Sequence, residues 1–92
     1  MEKEKKKEKE GQRMKRGNLR EIIKLTLIQC RIEAKLTQAE VGQLVGKSKT
    51  AVASWEQGLS LPDAATLYML AKYYGKPIEY MYGEERTGGE QS

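Results

Sequence analysis

Ninety-two residues, 17 Lys/Arg against 13 Asp/Glu, one Cys and no His set the first bounds on this chain, whose net charge is +4. That length holds one small domain and no second core. A lone Cys and the lack of His exclude a disulfide framework, argue against any metal site and leave no imidazole for acid–base catalysis.

The basic excess is confined to residues 1–17 (MEKEKKKEKEGQRMKRG), which hold eight Lys/Arg and four Glu, while residues 18–92 hold nine of each sign. A segment so poor in apolar side chains cannot bury enough surface to offset the entropy of ordering. Residues 1–17 are therefore expected to be a basic arm, disordered or a frayed helix.

From Asn18, a reasonable N-cap, the spacing predicts a helix through Ala34 with Leu19, Ile23, Leu27, Cys30 and Ala34 on one apolar stripe. Cys30 on that stripe reads as a buried small hydrophobe rather than a reactive thiol. A second stripe, Leu25, Ile28 and Ile32, lies on the opposite side. Either it is covered, by the N-terminal segment or another subunit, or it is scattered surface hydrophobicity.

Thr37 and Glu40 form a capping box that opens helix two, and Val41, Leu44 and Val45 give it one apolar face. Gly46 stands where the helix must stop and the chain turn, a position that favours φ > 0. Gly42 is placed for the close approach of a second helix, at a cost to helix two of about 0.5–1 kcal/mol relative to Ala. Ser48 caps helix three, which ends at Gly58. Val52, Trp55 and Leu59 are expected to point inward, with Thr50, Ala53, Ser54 and Gln57 on the opposite face.

Leu59 and Leu61 lead into Pro62 and Asp63, which suit the first turn of helix four. Its inward face is Leu67, Leu70, Ala71 and Tyr74. Gly75 ends it, and Pro77 begins helix five with Ile78, Met81 and Tyr82 apolar. The Gly/Glu-rich residues 84–92 are expected to be a disordered tail. The fold class is all-α, with one domain over residues 18–83.

Residues 37–58, TQAEVGQLVGKSKTAVASWEQG, have the form of two short helices held by a tight turn, the outer face of the second made of small and polar side chains. That is the pattern of a helix-turn-helix. With the LTQAE opening (36–40), Gly46, SKTAVASWEQG, the LPDAATLYMLAKYYG block (61–75) and IEYMYG (78–83), residues 19–83 resemble the Cro/repressor-type (xenobiotic-response-element-like) helix-turn-helix family. The resemblance implies a five-helix λ-repressor-like DNA-binding domain. It further implies a sequence-specific transcriptional regulator, by default a repressor, that binds an inverted-repeat operator as a homodimer with helix 48–57 in the major groove.

The same resemblance assigns roles. Lys49, Thr50, Ala53 and Ser54 are the base-edge candidates: Lys donates to guanine O6 and N7, and Thr and Ala methyls meet the thymine methyl. Thr37, Gln38, Lys47, Ser48 and Gln57 are the phosphate candidates. Arg31 and Glu56 correspond to a family pair that forms a shielded structural salt bridge. Arg13, Lys15 and Arg16 are the arm cations best placed for phosphates or a minor groove, with plain solubility as the other reading of the arm. Tyr68, Tyr73, Tyr80 and Tyr82, together with Leu25, Ile28 and Ile32, are candidates for a dimer or partner surface, or else ordinary surface and half-buried bundle residues. The chain departs from the family in having Lys47 for an apolar residue, Gly42 for Ala, and short Ala53 and Ser54 for longer polar side chains.

No paired Asp/Glu, Gly-rich phosphate loop or nucleophile elbow occurs, so neither an enzyme nor a cofactor is expected. The competing reading is an antitoxin or partner-binding module that uses the fold mainly for protein contact. No run of 18 apolar residues indicates a membrane span, and the charged N-terminus lacks the apolar core of a secretory signal. A cytoplasmic, nucleoid-associated location is the expectation.

Overall fold

Helix boundaries in this chain are set by local chemistry. The computed structural model describes residues 16–84, with side chains from Asn18 onward. Among these residues the chain is all-helical: α1 (Arg16–Glu33), α2 (Gln38–Val45), α3 (Lys49–Gln57), α4 (Ala64–Tyr73) and α5 (Ile78–Met81). Arg13, Lys15 and residues 85–92 lie outside the described residues, and so does the side chain of Arg16.

The starts of α2, α3 and α4 are capped by side chains. Thr37 Oγ1 accepts the Glu40 N–H while Glu40 Oε1 accepts the Thr37 N–H at 2.8 Å, the reciprocal bonds of a capping box. Ser48 Oγ accepts the Ala51 N–H, and Asp63 Oδ1 accepts the Thr66 N–H at 2.7 Å. The stops share one design. After α1, α2, α3 and α4 a residue in the left-handed region lets the next N–H reach back to a carbonyl in the last turn: Leu36 to Arg31, Lys47 to Gly42, Leu59 to Ser54 and Lys76 to Ala71. Gly46 (φ 71°) and Gly58 (φ 79°) serve two of these turns, where a Cβ is costly. Lys35 (φ 61°) serves the first, and is the one non-glycine residue at positive φ among the described residues.

The core gathers Ile23 and Leu27 of α1, Val41 and Val45 of α2, Val52 and Trp55 of α3, Leu67, Leu70 and Ala71 of α4, and Met81 of α5. Cys30 is buried beside them. Leu70 and Met81 are fully enclosed, each contributing about 1.5–3 kcal/mol of transfer free energy. α1 packs on α3 and α5, and α2 packs on α3 and α4, so the two motif helices share one core with the rest of the bundle.

Several sequence expectations need correction. α1 starts at Arg16, so Asn18 lies inside its first turn rather than capping it. Ala34 is exposed because α1 ends at Glu33 and the turn at Lys35 carries the chain off the stripe. The buried face of α1 is instead Ile23, Thr26, Leu27 and Cys30, an i, i+3, i+4, i+7 set that includes one polar residue, Thr26. Leu44 is exposed at the edge of the Val41/Val45 face. Leu59, expected inward, is 71% exposed, since the left-handed turn at Gly58 takes it out of the α3 periodicity.

Gly42 meets something other than a crossing helix. A Cβ there would stand 2.5 Å from the Lys47 carbonyl oxygen and 3.2 Å from Ser48 backbone atoms, so α2 rests directly on the turn that launches α3. Gly42→Ala gains about 1 kcal/mol of helix propensity but must push backbone aside. The net expectation is a loss of about 1–2 kcal/mol, read as a lower urea midpoint at unchanged m-value.

Candidate nucleic-acid interface

The motif is α2, the Gly46 turn and α3. Its rigidity comes from one charged cluster. Arg31, on the last turn of α1, donates Nε to Glu56 Oε2 at 2.7 Å and Nη2 to Glu56 Oε1 at 3.0 Å, a two-pronged pair between α1 and α3. Its Nη1 donates to the Leu36 carbonyl at 2.9 Å. Gln38, first residue of α2, donates Nε2 to Glu56 Oε1 at 3.0 Å. The pair is shielded, with the Glu56 side chain 7% and the Arg31 side chain 19% exposed. The Glu56 hydrogen bonds raise the Arg31 pKa above its usual value despite partial desolvation. The cluster ties three helices to one carboxylate.

Lys49 and Thr50 are exposed at the N-terminal end of α3, Ala53 and Ser54 are half-buried one turn on, and Gln57 is exposed at its far end. Ser54 Oγ lies 2.7 Å from Ser60 Oγ, so its hydroxyl is engaged across the Gly58 turn. Thr37 and Ser48 are exposed but use their side-chain oxygens as caps. The N-termini of α2 and α3 present backbone N–H groups and a positive dipole end, the usual setting for a phosphate. Lys47, in the turn between them, lies 3.6 Å from Asp63 Oδ2, both side chains being largely exposed. The Asp63 carboxyl sits below its usual range, chiefly because it accepts the Thr66 N–H. Ser60 and Asp63 as partners of Ser54 and Lys47 escaped the sequence reading. Asp63, expected in the first turn of helix four, is its N-cap, and nothing in the spacing marks Ser60.

The other nominated residues are dispersed. Leu25 (51% exposed) and Ile32 (59%) are open, and with half-buried Ile28 and exposed Gln29 and Glu33 they border a shallow groove on α1. Tyr68 and Tyr73 are exposed on α4, whereas Tyr80 and Tyr82 are half-buried against the core. Lys72 Nζ stands 5.9 Å from the Tyr68 ring centre and Lys76 Nζ 4.5 Å from that of Tyr80. Among the described residues no group of His, Cys, Asp and Glu could hold a metal ion, and no helix is long and apolar enough to cross a membrane.

Two expectations follow from this electrostatics. Glu56→Ala leaves the Arg31 guanidinium shielded without its carboxylate and frees α2 from α3, so unfolding free energy should drop by about 3 kcal/mol, measured by chemical denaturation. Tyr74, half-buried behind the cluster, has its phenol pushed up from 10.0 to about 12, first by burial, with Cys30 and Glu56 adding to the shift. The folded state therefore holds this proton more tightly than the unfolded chain. The resulting stability is complete below pH 10 and is lost as the pH climbs from 10 towards 12. Tyr74→Phe should flatten that alkaline limb of the stability profile.

A sequence profile described as helix-turn-helix matches residues 27–81. The chain is similar to the cryptic phage CTXphi transcriptional repressor RstR of Vibrio cholerae, at 35% identity over 57 residues, 62% of this chain and 51% of that protein. It thus spans about half the length of this curated relative. Among solved structures it resembles the P22 c2 repressor in complex with the synthetic operator 9T in the presence of Tl+, with a TM-score of 0.60 and 27% identity over 64% of this chain and 89% of that one. The fold is λ-repressor-like, and the chain belongs to the helix-turn-helix family of DNA-binding regulators of the Cro/repressor type.

Proposed function

We propose that this chain is a sequence-specific transcriptional repressor that binds an inverted-repeat operator as a homodimer, with α3 in the major groove. The observation that carries the proposal is the face of α3. Lys49 and Thr50 stand exposed at its leading end, with short Ala53 and Ser54 behind them, on a helix whose orientation the Arg31–Glu56–Gln38 cluster fixes. Short side chains let the helix sit deep in the groove, while Lys49 reads guanine and the Thr50 and Ala53 methyls meet thymine. Ser54, held by Ser60, lines the groove more than it reads bases. The N-termini of α2 and α3, with Gln38, Lys47 and Gln57, supply phosphate contacts. Thr37 and Ser48 support these contacts as caps. The basic residues 1–17 are assigned to further phosphate contact through Arg13, Lys15 and Arg16, which makes affinity fall as salt rises.

The phage repressor relatives support both the repressor role and an operator target, and promoter occlusion is the default mode of such a repressor. Two copies would present α3 to half-sites one helical turn apart, about 34–36 Å.

Selection from a randomised duplex pool tests the reading. An enriched inverted repeat with that centre-to-centre spacing is the expected outcome. Binding without enrichment, or none at moderate salt, would overturn it in favour of a protein-contact module, to which the open Leu25/Ile32 stripe lends itself. Lys49→Ala should weaken the selected site about tenfold or more and relax preference at the guanine it reads. Stability should be unchanged, as seen by mobility shift alongside thermal melting.

A further inference from the structure

Ser54 is gripped at both backbone and side chain by the turn that follows α3. Its carbonyl accepts the Leu59 N–H at 3.0 Å, and the Gly58 N–H reaches the same oxygen. Its hydroxyl lies 2.7 Å from that of Ser60. Gly58, left-handed at φ 79°, folds the chain back so that position 60 returns to position 54.

The neighbours of Ser60 set this contact apart. Leu59 is 71% and Leu61 44% exposed, while the serine between them is half-buried. Burial of apolar surface alone favours the reverse, with leucine inside and serine outside. What the observed arrangement secures is the bond to Ser54.

That bond limits what Ser54 can do. A serine hydroxyl has one donor and two acceptor positions, and within the pair one hydroxyl donates while the other accepts. The Ser54 side chain is thereby held in the rotamer that reaches Ser60. To bond a base edge by turning towards it, Ser54 must give up Ser60, so the gain is offset by a loss of similar size. Lys49 and Thr50, exposed at the leading end of the same helix, are not tied in this way.

We propose that Ser60 is a positioning residue for DNA recognition, which holds the Ser54 hydroxyl back from the groove and leaves the base pair opposite it nearly unread. Tolerance at one base pair of the half-site is then set by a residue outside the recognition helix. This inference rests on the placement of α3 in the major groove given under the proposed function.

Selection from a randomised duplex pool, run in parallel on the unaltered full chain, Ser60→Ala, Ser54→Ala and the double variant, tests it. Ser60→Ala should acquire a preference at one base pair of each half-site, about three- to tenfold between the best and worst base, the range of a single hydrogen bond. Ser54→Ala should select the same site as the unaltered chain. The double variant should lose the acquired preference, because the released hydroxyl is gone. A merely structural Ser60 would lower melting temperature and weaken all sites alike while moving no base preference, and thermal melting of the four chains separates that effect. Three results would each overturn the proposal: an unchanged profile for Ser60→Ala, an acquired preference that survives in the double variant, or a preference lost in Ser54→Ala. Should Ser60→Ala not fold, Ser54→Ala alone decides, since a lost preference there means that Ser54 already reads its base pair. Any of these failures beside an inverted repeat selected by the unaltered chain leaves the operator reading standing, whereas no enrichment by the unaltered chain removes both.

Discussion

The carboxylate of Glu56 is the point on which the motif's geometry depends. An apolar contact fixes how near two helices lie but leaves them free to slide or roll. A guanidinium bound by both prongs to one carboxylate fixes distance and rotation together. Here Arg31 reaches Glu56 from α1, Gln38 reaches the same carboxylate from the start of α2, and the remaining guanidinium donor holds the Leu36 carbonyl just ahead of the motif. The Leu36 N–H in turn bonds the Arg31 carbonyl, so backbone and side chain of Arg31 grip the same residue. Shielding sharpens the constraint, since a charge kept from water has no alternative partner to drift towards.

That cluster explains why α3 can carry such an undemanding outer face. Thr50, Ala53 and Ser54 carry short side chains, and the Ser54 hydroxyl is engaged with that of Ser60. On the proposed function, such a face offers few adjustable contacts, and the pose of the helix would carry much of the discrimination. The turn contributes as well: Gly42 allows the Lys47 carbonyl to rest against α2, leaving no slack between the two motif helices.

Much of this was legible in the sequence because its causes are local. Thr37 with Glu40, Ser48, Gly46 and Gly58 each mark a helix end through chemistry within a few residues. The Arg31–Glu56 pair, 25 residues apart, was reached through the family resemblance and not through spacing. The failures share a cause too. Leu59 lies past a left-handed turn and Ala34 past the last residue of α1, where helical periodicity no longer places a side chain, and Thr26 is a polar residue at a position that geometry buries. Ser54 with Ser60, and Lys47 with Asp63, join side chains across turns, where no periodic rule applies.

The shared form of the helix stops has a consequence for how the chain reaches its fold. Four helices end by the same short-range closure, three begin with a side-chain cap, and each such bond spans only a few residues. Little loop entropy has to be lost before these contacts form. Bundles whose contacts are mostly local cross their folding barrier in microseconds to milliseconds, ahead of sheet proteins of like stability. A copy that opens, through thermal fluctuation or on leaving a partner, thus closes again quickly, and its exposed apolar core is offered to neighbouring chains only briefly.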